Sequence, residues 1–388
     1  MQDMSYKNAR FNDSVIRRMT RVALDTGAIN LAQGFPDFDP PQPMLDRLEE
    51  ISQLGPHQYP ITMGAKNFRD ALCRKCGRFM GRELDPETEV VVTIGSTEAM
   101  VDTLFTLTNP GDRVVMFSPF FENYKAQTLM AGCEPVFVPL IPPSYRFDPN
   151  VLEDEFRKGA KAIIICNPSN PSGKVFTLEE MKTIAELCVK YDVYAVTDEV
   201  YEHIIYGGRP MIYMNSLPGM WERTVSCSSL SKTYSVTGWR LGYAIAPKEI
   251  MDRIKQYHDF NAVGSPSILM EAAVVGLEFP DSYYKEFGDH YTHMKELFTG
   301  GLDAAGIPYT EPEGTYFVLA DMAPFMKKGE PDTDFCVRLA KEVGVALVPG
   351  SSFFNEPVNG IVRMHFAKLD STLNAALDRL TNIKKMMA

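Results

Sequence analysis

The chain has 388 residues, enough for two or three domains at roughly 150 residues each. Hydrophobic residues make up 45% and charged residues 23%, a balance able to bury a large core. With 39 Lys and Arg against 50 Asp and Glu the net charge is −11, which argues against nucleic acid or an anionic membrane as partner but leaves a local anion site open.

No apolar run approaches the roughly 18 residues of a membrane helix. The start, MQDMSYKNARFNDS, lacks the apolar stretch of a secretory signal. Seven scattered cysteines read as reduced thiols, so a cytoplasmic location is expected. Cys73 and Cys76 form one CxxC, but no second pair or spaced histidines complete it, and no metal site is expected.

In chain order, the first forty-odd residues hold no series of strands. From about 89 onward, short β-rich runs alternate with helical ones. EVVVTI leads into STEAMVDTLFTL, DRVVMFS into FFENYKAQTLMA, PVFVPL into DPNVLEDEFRK, and KAIIIC into TLEEMKTIAELCVKY. DVYAVTD, TVSCSS and LGYAIA complete the set. Nearly continuous apolar strands between helices predict an α/β unit with a mostly parallel sheet covered on both faces. After Pro266 come two helices, the second long. The last eighty or so residues mix three strands, in GTYFVLADM, VALVPG and GIVRMHFA, with two helices, which reads as a smaller α+β unit.

Ligands of such sheets bind beyond the carboxyl ends of the strands, so those ends carry the candidates. TIGSTEAM places Gly95, Ser96 and Thr97 at a helix start, either a phosphate cradle or an ordinary cap. Glu98 in the same turn favours the helix dipole and need not face an anion. In FSPFFENY, Phe120 either stacks on a flat ring or packs in the core. NPSNPSG fixes Asn167 and Asn170 at a strand tip. Asp198 follows a buried-looking run and needs a cation or donors nearby. In SSLSKTYSVTGWR, Lys232 stands among small hydroxyl residues, with Arg240 eight residues on. Desolvation or nearby positive charge makes a lysine nucleophilic. Together these residues describe a site for a flat, phosphorylated pyridine aldehyde, which is pyridoxal 5′-phosphate (PLP) chemistry.

SLSKTYSVTGWRLG (229–242) closely resembles the lysine signature of the class I/II aminotransferases, PLP enzymes of fold type I. The similarity runs from INLAQGFPDF (29–38) to GIVRMHFA (360–367). SVIRRMTRVA and LPGMWERT resemble the branch that holds kynurenine aminotransferases, glutamine transaminases and methionine aminotransferases.

The resemblance implies that Lys232 bonds to PLP and shuttles a proton, and that Asp198 pairs with the ring nitrogen. It implies that Asn170 and Tyr201 bond the ring oxygen and that Phe120 stacks on the ring. Ser96, Thr97, Glu98, Ser229 and Arg240 would hold the phosphate, with Tyr59 reaching that of the neighbouring subunit in a homodimer. Arg363 would take the substrate α-carboxylate, with Gly34 and Asn170. It further implies a large PLP domain over 46–284 and a small domain from 1–45 with 285–388.

The family's kynurenine-type members have a tryptophan near Ile16 and aromatic residues in the segment matching NAVGSP (261–266). Here both are replaced, which puts a preference for aromatic substrates in question. Amino-group exchange between an L-amino acid and a 2-oxo acid is the leading expectation. A carbon–sulfur β-lyase is the alternative, and a PLP-binding regulator of transcription is a third reading that the acidic charge disfavours.

Overall fold

The computed structural model of the protein describes residues 13–387. Its strands, in chain order, are β1 (Ile29–Asn30), β2 (Val90–Ile94), β3 (Arg113–Ser118), β4 (Glu134–Pro139), β5 (Ala160–Cys166) and β6 (Tyr194–Asp198). β7 (Thr224–Ser229), β8 (Leu241–Ile245), β9 (Phe317–Asp321), β10 (Val345–Ala346), β11 (Val348–Pro349) and β12 (Ile361–His365) follow.

β2 to β8 form one sheet in the order β2-β8-β7-β6-β5-β3-β4. The pairs among β3 to β7 are parallel, and β8 runs antiparallel to both its neighbours. Successive residues of a strand point to opposite faces. Accordingly Ile163 and Ile165 of β5 join one core cluster with Met181 and Ile184 of the helix Leu178–Tyr191. Ile164 and Cys166 join another with Ala99 and Leu104 of the helix Gly95–Leu107. Each fully buried aliphatic side chain contributes about 1.5–3 kcal/mol, so an alternation of apolar residues with no polar face is stable only with both faces covered. The expected α/β architecture with a mostly parallel sheet is the one observed.

The direction of β8 matters for the site. Leu241, its first residue, pairs with Ile94, the last of β2, and Gly242 pairs with Ser229, the last of β7. The start of β8 therefore lies at the edge where its neighbours end. Arg240, Gly95, Ser229 and Asp198 all come to that edge.

A second, antiparallel sheet has the order β11-β12-β9, with Arg363 on its central strand opposite Val348 and Leu319. β1 pairs in parallel with β10, Ile29 against Val345, so the N-terminal segment is sewn to the C-terminal one. A two-residue strand shows no periodicity, which is why none stood out before residue 40. VALVPG, read as one strand, divides at Leu347 into β10 and β11, which serve different sheets.

Both domain limits expected from the sequence fall inside helices. Residue 46 lies within Gln42–Leu54, which packs on Ser267–Leu277. Residue 284 lies within Asp281–Ala305, which packs on Asp370–Leu380. That second contact is close: a Cβ on Gly301 would lie 2.4 Å from Leu377 Cδ1.

Candidate active site

A cavity of about 930 Å³ lies between the carboxyl edge of the large sheet, the N-terminal segment and the small sheet. Its walls carry Gly34, Ser96, Thr97, Asn170, Asp198, Tyr201, Ser229, Lys232, Arg240 and Arg363, residues drawn from positions up to 329 apart in sequence.

At one end the chain turns sharply from β2 into the helix Gly95–Leu107. Gly95 has φ +74°, and a Cβ there would meet Arg240 Nη2 at 2.2 Å. Glycine therefore satisfies both the backbone angle and the approach of the guanidinium. Arg240 donates from Nη1 to Thr237 O (3.0 Å) and from Nη2 to Ile94 O (3.3 Å), and has no carboxylate partner among the described residues. Ser96 and Thr97, in the first turn of the helix, line the same space, and a helix start with hydroxyl residues is complementary to a phosphate. Ser231, not singled out from the sequence, joins Ser229 in this wall.

Glu98 contributes no repulsion of note, because its carboxylate is already engaged. One oxygen accepts the Ile94 N–H, and the other lies 3.4 Å from His258 Nδ1. His258 also contacts Asp102 (3.2 Å) and Thr62 O (3.0 Å). Burial opposes charging His258, yet its bonds to Asp102 and Glu98 carry its pKa up to about 10. The imidazolium thus supplies the cation between two carboxylates, and no metal is needed to hold them together.

At the floor, Asp198 ends β6 and is buried. Tyr124 donates a 2.6 Å hydrogen bond to its Oδ2, while Oδ1 has only a 3.4 Å contact from the Val200 N–H. Burial raises its pKa, against the opposing pull of the Tyr124 bond. A buried carboxylate with an underused oxygen is complementary to a protonated ring nitrogen. Tyr124 was missed in the sequence. It stands one helical turn after Phe121, which was the available signal.

Phe120 is not on the cavity wall. Its N–H bonds Phe353 O at 2.8 Å, and its ring packs 4.9 Å from that of Phe137, centroid to centroid. Successive residues of an extended segment face opposite ways, so the neighbouring Phe121 lines the cavity instead. Tyr59 is also absent from this wall. It is 84% exposed, on the segment between Gly55 and Gly64.

Lys232 Nζ donates to Gly34 O at 3.1 Å, and that carbonyl also accepts from Tyr316 OH at 2.8 Å. Burial, then repulsion from Arg240 and Arg363, lowers the lysine pKa to about 8, with Asp198 opposing. A sizeable neutral fraction at physiological pH is the state a carbonyl-attacking amine requires. A Cβ on Gly34 would sit 2.6 Å from Phe317 Cζ, so only glycine lets this backbone come so close.

Arg363 is 1% exposed. Nη1 donates to Asn170 Oδ1 (2.7 Å) and Nη2 to Ala32 O (2.8 Å), while Nε has no partner. The guanidinium lies 4.2 Å from the Phe317 ring centroid and 4.7 Å from that of Phe353. Burial lowers its pKa to about 10. A buried cation without a carboxylate, with free N–H groups, is a receptor for a carboxylate ligand. With Arg240, Asp198 and Lys232, it gives a donor set that fits PLP and an amino acid.

The chain matches the family model of the class I and II aminotransferases over residues 26–380. It is 32% identical to kynurenine–oxoglutarate transaminase 3 of Mus musculus, over 96% of this chain and 89% of that protein. It is 33% identical to the probable N-succinyldiaminopimelate aminotransferase DapC of Mycobacterium tuberculosis, over 95% of each chain. The fold superposes with a TM-score of 0.93 on YbdL of Escherichia coli, described as a methionine aminotransferase, at 30% identity, covering 98% of this chain and 100% of that one. These relatives are aminotransferases, which favours amino transfer over β-elimination and an enzyme over a regulator. The chain belongs to the class I and II aminotransferases, fold-type I enzymes that use PLP to move an amino group between an amino acid and a 2-oxo acid.

Proposed function

We propose that this cavity performs both half-reactions of transamination with the residues described. The observation that carries the reading is one buried lysine, Lys232, set among Asp198, Arg240 and Arg363 in a single cavity. Bound PLP supplies the aldehyde that takes up the amino group and a protonated ring that draws electrons from the substrate Cα. Ser96, Thr97, Ser229 and Arg240 hold the phosphate, with the main-chain N–H of Glu98. Asp198, oriented by Tyr124, holds the proton on the ring nitrogen. Asn170 and Tyr201 face the ring oxygen, and Phe121 takes the flanking place first assigned to Phe120. Arg363 grips the α-carboxylate, which fixes Cα where Lys232 Nζ removes its proton. The PLP-loaded protein, given one amino acid and no oxo acid, is expected to release one 2-oxo acid per site and then stop. Failure to release oxo acid from any of a broad amino-acid panel would overturn the reading. Continuous release of pyruvate from a cysteine conjugate would point to the lyase instead.

The partner in this reading is a second copy of the chain. Tyr59 and Ile61 are 84% and 62% exposed, and Phe260 is 95% exposed. The two segments that carry them adjoin, since His258 bonds Thr62 O and a Cβ on Gly264 would lie 3.1 Å from Pro60 Cγ. Asn261 and Ala262, in the same stretch, line the cavity mouth. An apolar patch of this kind at a site rim suits an interface that lends Tyr59 to the other copy's phosphate. Sedimentation is expected to give twice the 43.5 kDa chain mass. Phe260→Asp is expected to yield monomer and weaken PLP binding about tenfold, as one lost charge-assisted contact implies. A monomeric parent protein with full activity would rule the shared site out. The seven cysteines are all buried free thiols, which fits the reducing cytoplasm as the location.

A further inference from the structure

The helix Gly95–Leu107, which presents Ser96 and Thr97 to the cavity, also carries two buried acids, Glu98 and Asp102. They stand four residues apart on one face, where like charges destabilise a helix. Among the described residues His258, itself fully buried, is the one ion-pair partner of either. The geometry fixes its charge. Nδ1 faces two carboxylate oxygens, Asp102 Oδ2 at 3.2 Å and Glu98 Oε1 at 3.4 Å, and Nε2 faces a carbonyl oxygen, Thr62 O at 3.0 Å. All three are acceptors, so both ring nitrogens carry hydrogen and the ring is an imidazolium. The raised pKa, about 10, agrees with that state. Asn261, at the cavity mouth, adds a bond from Nδ2 to Asp102 Oδ1 (2.8 Å).

No step of transamination uses this imidazolium, and His258 is not on the cavity wall. It reaches the site through Glu98, which lines the wall beside Ser96 and Thr97. Both Glu98 oxygens turn away from that space, one to the Ile94 N–H and the other to His258. Without the cation, two negative charges would be left near the start of the helix that faces a phosphate. Buried charges are weakly screened, so they would repel a phosphate dianion across the gap. The same loss would release Thr62 O. Thr62 belongs to the segment between Gly55 and Gly64 that carries Tyr59, so His258 joins that segment to the helix start. The histidine lies in the last turn of the helix Lys248–Asn261, where a cation also suits the helix dipole.

We propose that His258 is a positioning residue for the phosphate end of the site: as an imidazolium it offsets the acidic face of the phosphate-facing helix and ties that helix to the segment carrying Tyr59. This rests on the PLP reading of the cavity and adds to it a residue outside the cavity wall. The test measures binding to the cofactor-free protein of pyridoxamine 5′-phosphate, which forms no bond to Lys232, and of pyridoxamine, which lacks the phosphate. At about pH 8, His258→Gln is expected to raise the Kd of the phosphorylated compound about tenfold and that of pyridoxamine less than about twofold. Adding Asp102→Asn, which removes one of the two negative charges, is expected to bring the first Kd back to within about threefold of the parent. A histidine that only supports the fold would weaken both compounds alike. That outcome, or no change in either, would overturn the role of His258, as would a double variant no better than the single one. A second readout needs no variant that must fold: nitrogen NMR of the parent is expected to show both His258 ring nitrogens protonated at about pH 8. A neutral ring there would overturn the charge on which the role depends. A parent protein that binds neither compound would instead sink the PLP reading, while the ring signals would still report on His258.

Discussion

Lys232→Ala is expected to lower kcat/KM for transamination at least about 10,000-fold while leaving the fold intact. Loss of a nucleophile that also moves the proton removes two steps at once, and such groups are typically worth several powers of ten. The rest of the site stays in place, because Arg240 is held by Thr237 O and Ile94 O and Asp198 by Tyr124, none of which touches Lys232. PLP is therefore expected to bind the variant without a covalent bond. Borohydride reduction followed by mass analysis of peptides would find the cofactor on residue 232 in the parent and nowhere in the variant. Residual turnover above about 1% of the parent, or cofactor trapped on another lysine, would remove Lys232 from its role.

A stability measurement on the cofactor-free protein checks the environment of the same lysine. Its folded pKa, about 8, lies below the unfolded value of about 10.4. Between those values the unfolded chain binds more protons than the folded one, so stability rises with pH. The parent is expected to gain on Lys232→Met as pH climbs from about 8 towards 10, in paired denaturant titrations. A constant gap would mean that the lysine is not desolvated.

Much of this site was legible because its chemistry sits at strand ends. Asp198 and Lys232 each stand beside buried apolar or small-residue runs, where an unpaired charge is costly and asks for a reason. What was hidden depended on direction and rotation. That Arg240 reaches the same edge as Ser229 follows from β8 running antiparallel, and a five-residue apolar run does not reveal its direction. Phe120 and Phe121 are identical residues, and which one faces the cavity is set by where the preceding strand stops and the helix begins. The engagement of Glu98 with His258 links residues 160 apart, which spacing along a chain does not show. A helix that crosses between units keeps its own period, and its neighbours, not its pattern, decide which unit owns it.

Arg363→Lys is expected to reduce kcat/KM for amino acids by about 100- to 1,000-fold, chiefly through KM. Only two of the guanidinium's five N–H groups are spoken for, by Asn170 and Ala32, and Nε–H is left without any partner. The free N–H groups offer a carboxylate two parallel bonds in a space walled by Phe317 and Phe353. Arg363 is nearly fully buried, so screening of the pair is weak, and each charged hydrogen bond is worth about 1.5–3 kcal/mol. Lysine carries a point charge on a shorter stem and cannot reproduce the fork. Burying the arginine has a cost, visible in its pKa of about 10, and a bound carboxylate offsets that cost by supplying the missing counter-charge. The interaction therefore serves substrates that carry an α-carboxylate and no others. A simple primary amine of the same side chain is expected to be a slow substrate for the parent protein, and its rate to change less than about threefold in the variant. Loss of amine and amino-acid turnover by the same factor would assign Arg363 to the scaffold of the small sheet rather than to the substrate.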